Sequence, residues 1–185
     1  MAQSYTHTGE YIRGGHLGSL VKTRPIAAGS ISKAYAGRIV SIDSSGNFQV
    51  GNGGNTKVMP LMLLGGIESP SVYSESADND WVPARTGDTA VAAVMTGGFE
   101  LQSTEFDDTD TYAPNTYLTA DSDGIINTVA NPSGQWVIGI CSVYENQENN
   151  QPVPTQLAKG LNANGKYVVT FWSYFLPGVT LGGGT

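Results

Sequence analysis

A single cysteine, two histidines and a charged fraction of only 14% are the scarcities of this 185-residue chain. Cys141 alone closes no disulfide and builds no cysteine-based zinc site within the chain, which fits synthesis and assembly in a reducing cytosol. His7 and His16 sit in a glycine-rich N-terminal stretch where no rigid element would hold them beside a nucleophile. The GxSxG, HExxH and CxxC patterns are absent. Residues that lose least entropy in a helix are scarce, which excludes a helical bundle or coiled coil. No basic region followed by an apolar run opens the chain, and no stretch approaches the ~18 apolar residues of a membrane span. Neither signal-peptide export nor insertion is expected. The longest apolar run, Val58 to Leu64, is interrupted by Pro60.

What the chain has instead is glycine, 24 residues of it, together with many Ser, Thr and Asn. Turns and strands must dominate. The aliphatic content sits close to the lower limit for a folded chain, but 3 Trp, 9 Tyr and 5 Phe compensate. Each large aromatic can bury ~150–250 Å², so a handful outweighs several missing aliphatics. The expectation is a thin core supplemented by contacts with other chains.

The formal charge of -7 conceals an asymmetry. Residues 1–67 carry six bases and two acids, whereas residues 68–123 carry twelve acids against the single base Arg85. An acidic middle with no matching basic patch argues against nucleic acid as a direct partner. One reading is a solvated acidic face. The other is that the basic first third meets the acidic middle of a neighbouring copy.

Residues 1–25 show no sustained period and read as an extended arm ending near Pro25. A single β domain is expected over 26–185, with acidic loops around 68–81 and 107–115. Its strand candidates are separated by turn chemistry: AGRIVSI (36–42) before DSSGN, FQV (48–50) before GNGGN, then VMPLMLL (58–64). Pro60 cannot donate to a ladder, which predicts an edge or bulged strand. TAVAAVMT (89–96) and GFELQSTEF (98–106) predict a hairpin around Gly97-Gly98, and Phe106 falling out of phase predicts a bulge near 103–105. YLTADSDGIINTV predicts two short strands about a turn at Asp121 to Gly124.

QWVIGICSVY (135–144) and KYVVTFWSYFL (166–176) are the strongest strands, apolar on both faces. Such a strand lies between two layers, one of which can come from another subunit. Five aromatics, Tyr167, Phe171, Trp172, Tyr174 and Phe175, fall in the last of them. Exposed together they would exceed the roughly 300–600 Å² patch that soluble monomers tolerate, so they are the expected subunit interface of a homo-oligomer.

Two chemical motifs fail on inspection. GLNANGKY (160–167) matches GxxxxGK, but Tyr167 stands where a magnesium-binding Ser or Thr is needed, and a strand rather than a helix follows. Asn164-Gly165 is better read as a hairpin turn. The acidic groups Asp78/Asp80, Asp107/Asp108/Asp110 and Asp121/Asp123 match no complete calcium loop, and DSDG is more economically an Asx turn. No cofactor and no metal are expected, nor is catalysis.

WVPARTGDTAVAAVMTGGFELQSTEFD (81–107), YAPNTYLTADSDG (112–124), QWVIGICS (135–142) and VVTFWSYFLPG (168–178) resemble the capsid cement or decoration proteins of tailed bacteriophages. The resemblance covers a little under half of the chain. It implies a β-rich, often trimeric module that sits on the outer surface of the virion, assembled in the host cytoplasm. Such a module clamps neighbouring major capsid subunits against internal DNA pressure.

The combined expectation is an all-β, short-stranded barrel or sandwich with long loops and an extended N-terminal arm. An extended arm spans up to ~3.3 Å per residue, so its Tyr5, His7, Tyr11, Arg13, His16, Lys22 and Arg24 would reach the capsid shell. The expected partners are the major capsid protein and further copies of the chain, trimer favoured, with no direct nucleic acid and no membrane. The alternative is a carbohydrate-binding or host-adhesion β module, with Trp81, Tyr112 and Tyr117 as stacking residues near the acidic loops.

Overall fold

β-Branched and aromatic residues between clusters of Gly, Asn and Asp fold as short strands, and the chain is all-β. The structure is a computed structural model that describes residues 9–14, 21–64, 89–95, 97–142, 145–146, 151–152, 159–161 and 167–176. Its strands in chain order are β1 (Gly9–Gly14), β2 (Val21–Pro25), β3 (Ile39–Ile42), β4 (Phe48–Val50), β5 (Leu61–Leu63), β6 (Thr89–Val94) and β7 (Phe99–Ser103). They continue with β8 (Tyr117–Ala120), β9 (Ile126–Val129), β10 (Val137–Cys141), β11 (Glu145–Asn146), β12 (Gln151–Pro152), β13 (Lys159–Leu161) and β14 (Tyr167–Leu176). One 3-10 turn, Ala28–Lys33, is the helical segment among the described residues.

Five strands form a small sheet in the order β2-β6-β5-β3-β4, each neighbour antiparallel. Its two edges meet. Ile26, directly after β2, makes a parallel bridge to Phe48, and the Ala27 N–H donates to the Phe48 carbonyl at 2.8 Å. With five strands joined antiparallel, the first and last run the same way, so only a parallel pair can close the ring. The sheet is thus a small, partly open barrel. Its interior is narrow and filled by modest side chains: Ala34, Ala36, Val40, Val50, Ala90 and Ala92, with Phe48, Leu61 and Leu63 as the larger members. Ser30 in the 3-10 turn accepts the Val50 N–H, tying that turn to β4.

The second sheet runs β1-β7-β14-β10-β8-β9, with β13 paired to β14. Its inner face contributes Leu101, Leu118, Ile126, Trp136, Ile138 and Phe171 to a core shared with Ile39, Met62 and Leu64 of the barrel. The barrel strands therefore serve two cores. Along β5, Leu61 and Leu63 point into the barrel while Met62 points to the large sheet.

Three expectations about strands are corrected. β6 and β7 are not a hairpin. They belong to different sheets, and Gly97 and Gly98, at φ of 113° and 82°, turn the chain from one layer to the other. β5 is central rather than an edge strand, because Pro60 precedes its first residue and needs no ladder partner. Ser103 ends β7 in place of a bulge: its Oγ accepts the Glu105 N–H and donates to the Gly37 carbonyl. The turn at Asp121 to Gly124 is as predicted, with Asp121 Oδ1 accepting the N–H groups of Asp123 and Ile125 and Gly124 at φ 72°.

Of the extended arm expected over residues 1–25, the described parts are extended strands. β1 pairs with β7 and β2 with β6, so residues 9–14 and 21–25 belong to the two sheets instead of leaving the body at Pro25. The physical reason is that extended backbone beside a sheet edge satisfies its N–H and C=O groups by joining the ladder. Tyr5, His7, His16 and the acidic loop at 68–81 lie outside the described residues.

Candidate functional site

The surface with the most unusual chemistry is the outer face of the large sheet. Cross-strand register places Tyr117 of β8, Ile140 of β10, Trp172 of β14 and Glu100 of β7 in one row across it. Tyr174 lies two residues along β14 on the same face, and its ring centroid is 6.4 Å from that of Tyr117 with planes at 44°. Trp172 and Tyr174 are 36% and 42% exposed. Thr119 and Asn127, opposite each other on β8 and β9, continue this face beyond Tyr117. On its other side the face becomes polar and buried. Ser142 Oγ donates to Glu100 Oε1 at 2.6 Å, and Gln102 Nε2 donates to Thr170 Oγ1 at 3.1 Å.

The five aromatics expected at a subunit interface do not share one surface. Alternation along β14 sends Phe171 into the shared core, where it is fully buried, and packs Phe175 against that core. Tyr167, 60% exposed, has the parity of Phe171 and lies at the far end of the strand. Only Trp172 and Tyr174 look outwards from the outer face. The five rings therefore form no single apolar patch. Two exposed rings with half-buried Tyr117 and Ile140 offer on the order of 200–300 Å², which a monomer tolerates.

Of the described arm residues, Tyr11 and Arg13 stand opposite Leu101 and Glu100 in the β1–β7 ladder. Lys22 and Arg24 are exposed on β2 at the open side of the barrel.

Part of the charge asymmetry is met within the chain. Arg38, at the start of β3, donates from Nε to Glu105 Oε2 at 2.7 Å and from Nη1 to the Asp123 carbonyl at 2.8 Å. Its guanidinium lies 5.1 Å from the centre of the Tyr35 ring. Lys33 pairs with the Asp123 carboxylate and holds it below the usual carboxylate range. Two bases of the first third, Lys33 and Arg38, thus meet two acids of the middle across the seam between barrel and large sheet. Backbone and indole groups follow the same seam: Ile39 N–H donates to the Gly124 carbonyl at 3.0 Å, and Trp136 Nε1 to the Val58 carbonyl at 2.7 Å. Gly124 is required there, because a Cβ would sit 2.4 Å from the Ile39 carbonyl oxygen.

The described acidic loops are occupied by their own backbone. Asp107 accepts the N–H and hydroxyl of Thr109, which lowers its pKa, and Asp110 accepts the N–H and hydroxyl of Thr128. Among the described residues no group of three or more His, Cys, Asp and Glu is placed to hold a metal ion. Tyr112, read as a sugar-stacking residue, is fully buried. Its hydroxyl donates to a backbone carbonyl, with those of Asp107 and Ile126 at 2.8 and 2.9 Å, and Phe106 meets its ring edge-on at 5.4 Å. Burial, then Asp110 and Asp107, push its pKa up. Trp81 lies outside the described residues. Cys141 is buried in the shared core, which pushes its thiol up to about 12 and leaves it a poor nucleophile.

Comparison with protein-family models, with curated proteins and with solved structures finds no match for this chain.

Proposed function

We propose that this chain is a structural protein of a virion, an accessory protein that binds the outer capsid shell and cements neighbouring major capsid subunits. One observation carries the reading. The stretches that resemble cement proteins are far apart in sequence, yet where described they supply β7, β14, β10 and β8, four adjacent strands of the large sheet, together with β6 of the barrel. Scattered resemblance of which four of five described strands adjoin in one sheet is what a shared folding unit would leave.

The seam between the layers supports the same role. A cementing module transmits load between the subunits it contacts, so its own layers must not slide. Here a shared apolar core, the largely buried Arg38–Glu105 pair and the Trp136 indole bond all cross between barrel and sheet.

The test is co-sedimentation of the purified protein with empty shells of the major capsid protein from the virus that carries it. Saturable binding, with a raised melting temperature of the shell, is expected. Shells that pellet without the protein would exclude the reading.

A further inference from the structure

We propose that the outer face of the large sheet binds a neutral oligosaccharide, with Tyr117, Trp172 and Tyr174 as its stacking platform. This goes beyond the shell-binding reading and rests on the side chains of the outer face, not on the resemblance. A pyranose presents an apolar C–H face bordered by hydroxyls, so a protein surface that takes it needs exposed aromatic rings with hydrogen-bonding groups at their margins.

The face meets both conditions. Tyr117 and Tyr174 lie 6.4 Å apart between ring centres, tilted by 44°, and Trp172 follows Tyr174 on the same side of β14. Among the described residues, no hydrogen bond engages the hydroxyl of either tyrosine, so both are available to sugar hydroxyls. Asn127 and Thr119 border the rings. Asn127 donates its amide to the Ile125 carbonyl and Thr119 its hydroxyl to the Trp136 carbonyl, which holds both side chains in place and leaves their oxygens able to accept. The rings stand on strands hydrogen-bonded on both sides, so little order has to be gained on binding.

Size and charge select this occupant. A stable protein interface covers roughly 800 Å² per partner, about three times what these rings offer, so a second copy of the chain would be held too weakly. One or two sugar rings match the area. A formal charge of -7 disfavours phosphate-bearing and acidic ligands, leaving a neutral one.

The test titrates the full chain with neutral linear oligosaccharides of glucose, of mannose and of N-acetylglucosamine, following the indole N–H resonance of Trp172 by NMR. One of the three is expected to shift it with millimolar or tighter affinity. Trp172→Ala and Tyr174→Ala should each weaken that binding about tenfold, the loss of one stacking contact. Tyr174→Phe, which keeps the ring, should weaken it less. Should Trp172→Ala fail to fold, Tyr174→Ser provides the same comparison.

No shift with any of the three sugars would overturn the proposal, as would a shift that survives Tyr174→Ala. A wild-type oligomer that Trp172→Ala dissociates in sedimentation would overturn it too, by showing the face covered by a second copy. None of these outcomes bears on shell binding, which is measured separately.

Discussion

The barrel and the large sheet bury apolar surface in opposite ways. The barrel closes on itself through the Ile26–Phe48 bridge and fills its narrow interior with Ala, Val and Leu. The large sheet stays open, fills its inner face with Trp136, Phe171 and Leu118, and needs Ile39, Met62 and Leu64 of the barrel to complete that core. One layer is self-contained and the other leans on it. A glycine-rich chain with few aliphatics thus builds two cores, because strands such as β3 and β5 spend both of their faces.

Removing Trp136 should break that dependence most severely. Trp136→Ala deletes the largest fully buried side chain and leaves the Val58 carbonyl without its 2.7 Å donor. A loss of about 3–5 kcal/mol is expected. Hydrogen exchange should show β8 and β9 losing protection while β3, β4 and β5 keep theirs. Equal loss in both layers would mean that the barrel is no more self-sufficient than the sheet.

The charged seam gives the next largest effect. In Arg38→Met, Glu105 is left buried with its guanidinium partner gone, a change that costs roughly 3–5 kcal/mol for a fully buried pair. Arg38 is partly exposed, so the lower end applies. The double variant Arg38→Met/Glu105→Leu should recover most of the loss, because no charge is then buried alone. Urea denaturation decides this: a double variant as unstable as Arg38→Met would show that the guanidinium acts through packing on Tyr35 instead.

A smaller effect belongs inside the large sheet. A Cβ at Gly139 would lie 2.7 Å from Phe171 Cδ2 and 2.9 Å from the Trp172 carbonyl oxygen. Gly139→Ala should cost about 1–3 kcal/mol through overpacking. Thermal melts should show it, and an unchanged melting temperature would mean that β14 yields freely at this point.

Much of this division was legible in the sequence, and the misses share a cause. Period-2 alternation and turn residues locate β3, β4, β8, β9, β10 and β14, since side-chain direction is a local property. Pairing is not local. Gly97-Gly98 suits a tight hairpin and equally a crossing between sheets, and only the fate of β6 and β7 in three dimensions separates the two. The barrel closure rests on one residue, Ile26, beyond the last strand-like position of its segment. Apolar character on both faces of β14 is visible in the sequence, but which face meets this chain's own barrel is not, and that alone separates Phe171 from Trp172. That Lys33 and Arg38 reach Asp123 and Glu105 of the same chain depends on how the Asp121 to Gly124 turn docks on β3, which is not a local property. The sequence marks Tyr117 as a stacking residue, but its companion Tyr174 lies 57 positions away and becomes its neighbour only through β10.

The smallest effect tests the exposed end of the seam. Lys33 holds Asp123 below the ordinary carboxylate value, chiefly through the hydrogen bond to its side chain. A carboxylate whose folded pKa is depressed stabilises the fold above its unfolded pKa, and that contribution fades as pH falls through the lowered folded value. Both side chains are about half exposed, so solvent and salt screen the pair. Asp123→Asn should therefore leave stability near pH 7 almost unchanged and slightly flatten its decline in acid. In high salt the wild-type curve should approach that of the variant. Arg38→Met should keep its deficit in the same salt, because the Arg38–Glu105 pair is shielded from solvent. If salt erased both differences alike, the seam would be a surface feature throughout, and the layers would be held together by their apolar core alone.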